Sequence, residues 1–171
     1  MKTKIFLFSA LFLSALVLVS FRLVSSPADS PAKKVPSIEG TYVFQSRTLA
    51  DGTVLKPPVV SGIQTFTKDK RNFNIMWTDK SGKRFSFSVY SDYKFTDKDY
   101  TESIHFGVLN DEIDGKPLDY ITNQTKTVPI KYENGKLQFH LPFDPPDVTF
   151  EGNTMTATLK GATDHWVKVQ N

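Results

Sequence analysis

The chain has 171 residues, with 21 Lys and Arg against 18 Asp and Glu, and no cysteine. The missing cysteines exclude disulfides, a thiol nucleophile and a lipoprotein-type anchor. Lys2, Lys4 and Arg22 account for the basic surplus and no acid lies near them, so the remaining chain is electrically balanced and lacks the excess that nucleic-acid binding calls for.

Residues 1–28 read as a signal peptide. Lys2 and Lys4 precede the apolar run 5–19, and small or polar residues follow around Ser25, Ser26 and Ala28, which is signal order. The competing reading is an uncleaved anchor reaching Val24, because a spanning helix needs roughly 20 apolar residues and only Arg22 interrupts the stretch. The expectation is an exported protein (periplasmic, cell-surface or secreted) of a bacterial envelope, with no stable membrane insertion once the signal is removed. Residues 29–37, carrying Pro31, Lys33, Lys34 and Pro36, form a linker, and residues 38–171 form one domain.

The domain reads as short strands. The first spans 38–49, with Tyr42 and Phe44 on one face and Val43, Gln45 and Arg47 on the other. Residues 50–59 are an irregular connection, since Lys56-Pro57-Pro58 does not suit a central strand. A strand at about 60–67 leads into three strands over 71–109. In 71–78 the positions Arg71, Phe73, Ile75 and Trp77 share one face, and Phe85 and Phe87 alternate with Ser86 and Ser88. Residues 110–126 are polar and without a sustained period, and are expected to be a long loop. Strands follow at 127–132 and around Leu137, Phe139 and Leu141, joined by the hairpin signal Asn134-Gly135. Pro142-Phe143-Asp144-Pro145-Pro146 breaks the sheet, and strands at 148–150, 154–160 and 164–170 complete it. No segment after the signal has a helical period.

These elements predict an all-β fold: an up-and-down antiparallel meander closed into a barrel of 8–10 strands. Connections in such a barrel alternate between its ends. That places 50–59, 79–83, 110–126 and 143–147 at one end and the tight turns at the other, giving a cup with one elaborated mouth. An additional strand at 118–121 would reverse the ends of everything after it.

Ile38-Glu39-Gly40-Thr41-Tyr42 resembles the Gly-x-Trp opening of lipocalins, with Tyr42 in place of the Trp. Residues 40–49, 71–77, 110–115 and 164–169 also resemble an exported bacterial lipocalin-like (calycin-type) family of unknown function. The resemblance implies a lipocalin-like barrel whose first strand starts at the closed bottom. The chain departs from lipocalins in lacking that Trp, the cysteines and a C-terminal helical pattern.

No catalytic signature is present, and the protein is expected not to be an enzyme. His105, His140 and His165 lie on separate predicted strands without metal-ligand spacing, so no metal and no cofactor is expected. Residues 110–115 hint at a calcium loop, but aligning Gly115 with the loop glycine puts Ile121 where the bidentate Glu belongs. Asp97 and Asp99 read as turn formers, and Asn123-Gln124-Thr125 is a glycosylation sequon.

Aromatic residues carry the remaining signal. They suit either a filled barrel core or the lining of a cavity, since an eight-stranded barrel is just wide enough for either. The first functional reading is binding of a small apolar or amphipathic molecule at the mouth by Trp77, Phe85, Phe106 and Phe143, with Tyr120 in a lid over 110–126. The second is a filled-barrel envelope module acting through its loops, and an enzyme ranks last.

Overall fold

The computed structural model describes residues 35–169. The proposed signal segment and the linker up to residue 34 therefore lie outside the described residues. The described residues form twelve strands: β1 (Gly40–Leu49), β2 (Val54–Leu55), β3 (Val60–Phe66), β4 (Lys70–Thr78), β5 (Arg84–Phe95), β6 (Asp99–Asp111), β7 (Lys116–Pro129), β8 (Lys131–Glu133), β9 (Lys136–His140), β10 (Asp147–Glu151), β11 (Thr154–Leu159) and β12 (Ala162–Lys168). No helix occurs among the described residues.

The strands follow one another around a nearly closed antiparallel barrel in the order β7-β6-β5-β4-β3-β1-β12-β11-β10-β9-β8, with β2 paired to β1. The β1–β12 ladder, from Tyr42 opposite Lys168 to Leu49 opposite Ala162, joins the two halves of the meander. The seam falls between β7 and the β8–β9 hairpin. Ile130 alone links β7 to β8, and Lys126 Nζ on β7 donates across the seam to the Pro142 carbonyl at 3.2 Å.

The strand total exceeds the sequence expectation through β2 and β7, and β7 is the informative difference. The segment expected to be a loop at 110–126 is instead the end of β6, a turn at 112–115 and most of β7, paired with β6 from Asp99 opposite Pro129 to Asp111 opposite Lys116. Almost every side chain of β7 is exposed; only Ile121 and Val128 pack against the core. A strand wet on both faces has no apolar period to read, although Ile121, Thr122, Thr125, Thr127 and Val128 all favour extended backbone. The proposed lid is thus wall. The ends of the later strands are not reversed, because β7 and β8 run in the same direction and act as one bent element.

Inside, alternation works as the period of two requires. Phe73 and Ile75 on β4, Phe87 and Val89 on β5, and Leu137 and Phe139 on β9 are buried. At the end where β1 begins, Tyr42, Phe66, Phe150, Tyr93 and Tyr100 pack largely edge-to-face, with centroids 5.6 Å apart for Tyr42–Phe150 and 5.5 Å for Phe66–Tyr93. Ile38 closes this end from outside β1. Higher up, Trp166 lies flush against β3 at Gly62, where an added Cβ would stand 2.5 Å from the Trp166 ring and 3.1 Å from the Asn74 carbonyl oxygen. Overpacking of this kind costs about 1–3 kcal/mol. Gly62→Ala is accordingly expected to lower stability by that amount, read as a lowered urea midpoint at an unchanged m-value.

Two bulges redirect side chains. One skips Gln45, so that Phe44 faces Trp166 while Ser46 faces His165, and this turns Arg47 inward. The other skips His105, so that Tyr90 faces Phe106 while Ser91 faces Ile104. The inward set on β6 changes there from Tyr100, Glu102 and Ile104 to Gly107 and Asp111, and Phe106 is left on the outer face, half exposed.

Candidate functional site

The connections at 50–59, 79–83, 112–115, 141–146 and 160–161 gather at one end of the barrel. Just inside that end is a cavity of about 50 Å³, lined mainly by Trp77, Phe85, Phe87, Trp166, Met155 and Leu141, with Arg47, Asp164, Gln64 and Asp144 as its polar groups. This space is small beside the roughly 300–1,000 Å³ of ordinary ligand pockets.

Segment 141–146 forms the roof. Leu141, Pro142, Asp144 and Pro146 are buried, and Leu141 N–H donates to the Pro146 carbonyl at 3.1 Å, which holds the segment as a compact strap. The sequence marked these residues only as a break in the sheet, yet they are the element that covers the mouth. Phe143 belongs to this strap but lies at the seam, with Lys126 Nζ 4.7 Å from its ring centroid.

The strap is latched from below. The Arg71 side chain is fully buried and donates through Nη1 to Glu102 at 3.0 Å and through Nη2 to Asp144. Glu102 also accepts from Ser91 at 2.6 Å and from Tyr100 at 3.1 Å. Burial works against the Arg71 charge, but the Asp144 and Glu102 carboxylates outweigh it and hold the guanidinium well above its ordinary pKa. Burial pushes the Asp144 carboxyl up, with Arg71 opposing and Glu102 assisting.

A second buried pair lies beside the cavity. Arg47 grips Asp164 with two hydrogen bonds, at 2.6 and 2.9 Å, and its guanidinium lies 4.2 Å from the Trp77 ring centroid. Trp77 in turn stacks on Phe85 at 3.8 Å between centroids, with the planes 17° apart. This layer of cation, indole and phenyl forms one wall.

Three residues lining the cavity carry buried polar atoms without a partner: Asp144 Oδ1, Gln64 Oε1 and Trp166 Nε1. The Gln64 amide nitrogen is directed at Met155 Sδ, 2.9 Å away. Buried polar atoms are ordinarily satisfied, so these three residues have hydrogen-bonding capacity to offer an occupant of the cavity.

Of the five side chains named from sequence, Trp77 and Phe85 line the cavity. Phe106 is on the outer face beyond the His105 bulge, Phe143 is at the seam, and Tyr120 is 65% exposed on β7. None of these three is among the lining residues. Arg47, Gln64, Asp144 and Asp164 were not anticipated, and Trp166 was expected only as core filling. The available signal was charge or amide on an inward-facing position, obscured for Arg47 by the bulge. Among the described residues no group of three or more His, Asp or Glu side chains is arranged to hold a metal ion. The calcium-like segment is a turn held by Asp111, which accepts from Asp114 N–H at 3.1 Å and Lys116 Nζ at 2.8 Å.

No protein-family model matches the sequence. No curated protein matches it at a significant level. Among solved structures, the chain is similar to a lipocalin-like protein from Bacteroides uniformis ATCC 8492, at 15% identity over 77% of this chain and 97% of that one, with a TM-score of 0.33. The strands themselves define a nearly closed antiparallel barrel with a cavity at its mouth.

Proposed function

We propose that the protein binds a small apolar or amphipathic molecule at the mouth of the barrel, without catalysis, after export to the bacterial envelope. The observation that carries this reading is the cavity itself: an aromatic space under a strap, with open hydrogen-bond valences in its wall. At about 50 Å³ it accepts a small group as it stands. A larger ligand requires the strap at 141–146 to swing outward.

Trp77 and Trp166 are the two tryptophans of the chain and both line the cavity, so indole emission reports on it directly. Titration with toluene is expected to shift or quench that emission saturably, and native mass spectrometry of protein from its own host should show a retained small molecule. A bare mass together with unchanged emission would remove the ligand reading.

One observation favours a second reading in that event. Phe106, Tyr120, Met76 and Ile63 leave half or more of their surface, or nearly so, on the outside of the barrel. A nearly filled barrel with such an exterior would serve as an interaction module of the envelope.

A further inference from the structure

The buried charges around the cavity do not balance. Asp144, Glu102 and Asp164 stand against Arg71 and Arg47, so fully ionised carboxyls leave a surplus of one negative charge. Arg47 is committed to Asp164 through both of its contacting nitrogens, and Arg71 to Glu102 and Asp144. The surplus has an address. Asp144 uses one oxygen to hold Arg71, while its other oxygen is buried without a partner. Gln64, whose Oε1 is also buried and unpartnered, lines the same cavity. Arg71 Nε is unpartnered too, but Arg71 does not line the cavity.

Two open acceptors, one of them on the surplus carboxylate, ask for a donor and for positive charge. The remaining wall is of the same character. Trp77, Phe85, Phe87 and Trp166 present aromatic surface, whose faces attract cations. Trp166 Nε1 is an open donor, which a hydroxyl or ether oxygen elsewhere in the ligand would occupy.

We propose that the molecule bound at the mouth is a small amphipathic amine: a protonated nitrogen donating to Asp144 and Gln64, carried on an apolar body that lies against Trp77 and Trp166. The proposal rests on the ligand-binding reading above and adds the charge and polarity of the ligand. With Asp144 ionised, an anionic ligand is disfavoured by the same arrangement, since both open oxygens and the surplus charge oppose it. One or two water molecules would also satisfy these atoms, and in that case the cavity would be indifferent to the charge of what enters.

The test compares benzylammonium, benzyl alcohol and benzoate, which share one ring and differ in charge, by the emission of Trp77 and Trp166 in the full chain at neutral pH. Benzylammonium is expected to bind at least about tenfold more tightly than benzyl alcohol, and benzoate more weakly than either. In Asp144→Asn the ratio between benzylammonium and benzyl alcohol should collapse toward one. Gln64→Leu leaves the Arg71 network intact and should reduce the ratio as well, which keeps the test valid if Asp144→Asn fails to fold. Equal binding of all three probes overturns the amine proposal and leaves the ligand-binding reading standing. Preference for benzoate overturns the proposal outright. No response to any probe removes the ligand-binding reading and the amine proposal together.

Discussion

Arg71→Met is expected to destabilise the protein by about 3–5 kcal/mol, read as a lowered urea midpoint. Arg71 is fully buried and is the shared partner of Glu102 and Asp144. Removing it leaves two carboxyls in the barrel interior with no cation between them, and it releases the strap from its latch. The loss should therefore be reversed in large part by adding Glu102→Gln and Asp144→Asn, because a network replaced as a unit costs less than one broken at a single member. If the triple variant is no more stable than Arg71→Met alone, the penalty arises from lost packing around the guanidinium, which lies 4.9 Å from the Phe73 ring centroid.

The same network sets a pH dependence of unusual sign. Asp144 has its carboxyl raised on folding, by burial above all. A raised carboxyl holds its proton more tightly in the folded chain, so its contribution is complete below the unfolded carboxylate range and is lost as pH rises through the folded value. Exposed carboxylates such as Asp92 and Asp79, lowered chiefly by hydrogen bonds from Lys70 and Ser81, act in the opposite sense. The difference in urea midpoint between the parent and Asp144→Asn isolates the Asp144 contribution. It should move in favour of the variant as pH rises.

Trp166→Ala is expected to cost about 3–5 kcal/mol as well, through a different mechanism. The indole is 2% exposed, sits edge-on to Phe44 at 5.3 Å and lies 6.1 Å from Phe73, so its removal enlarges the cavity into the centre of the barrel. Gly62 supplies an internal check. Its substitution is costly chiefly because the Trp166 ring occupies the space where a Cβ would go, 2.5 Å from it against 3.1 Å for the Asn74 carbonyl oxygen. Gly62→Ala should therefore be nearly silent, or slightly stabilising, in the Trp166→Ala background, giving a coupling of about 1–3 kcal/mol in a double-mutant cycle. Additive effects would mean that the clash with the Asn74 carbonyl dominates.

The barrel was legible wherever a strand has one dry and one wet face. That holds for β4, β5 and β9, whose alternating Phe, Ile and Leu residues are the buried ones. β7 was not legible, since a strand with solvent on both faces has no pattern to display. The end that carries the mouth was legible because connections alternate between the ends and β7 with β8 leaves that alternation unchanged, and Trp77 and Phe85 lie at the mouth ends of β4 and β5. Phe106 was misplaced by a single inserted residue, His105, which inverts the faces beyond it. The polar side of the site was hidden for a related reason. Arg71, Glu102 and Asp144 come from β4, β6 and the strap, and Arg71 is 31 and 73 residues distant from its partners. Their meeting depends on the three-dimensional closure of the sheet and leaves no local trace in the sequence.

Closure also bears on how the chain reaches this state. Apart from the β1–β12 ladder and the seam between β7 and β8, each main strand pairs with its neighbours in sequence, so most ladders require only a hairpin to form. The β1–β12 ladder is different in kind, joining Tyr42 to Lys168 across almost the whole domain. Closing so long a loop is entropically slow to initiate but only weakly dependent on its length. The two half-meanders, β1 to β7 and β8 to β12, are thus positioned to assemble separately, with their docking along β1–β12 as the late, rate-setting event. Substitutions in the hairpins, which are already formed at that step, would then act chiefly on the speed of folding, whereas those in parts of the β1–β12 ladder that zip up only after docking would act on the speed of unfolding.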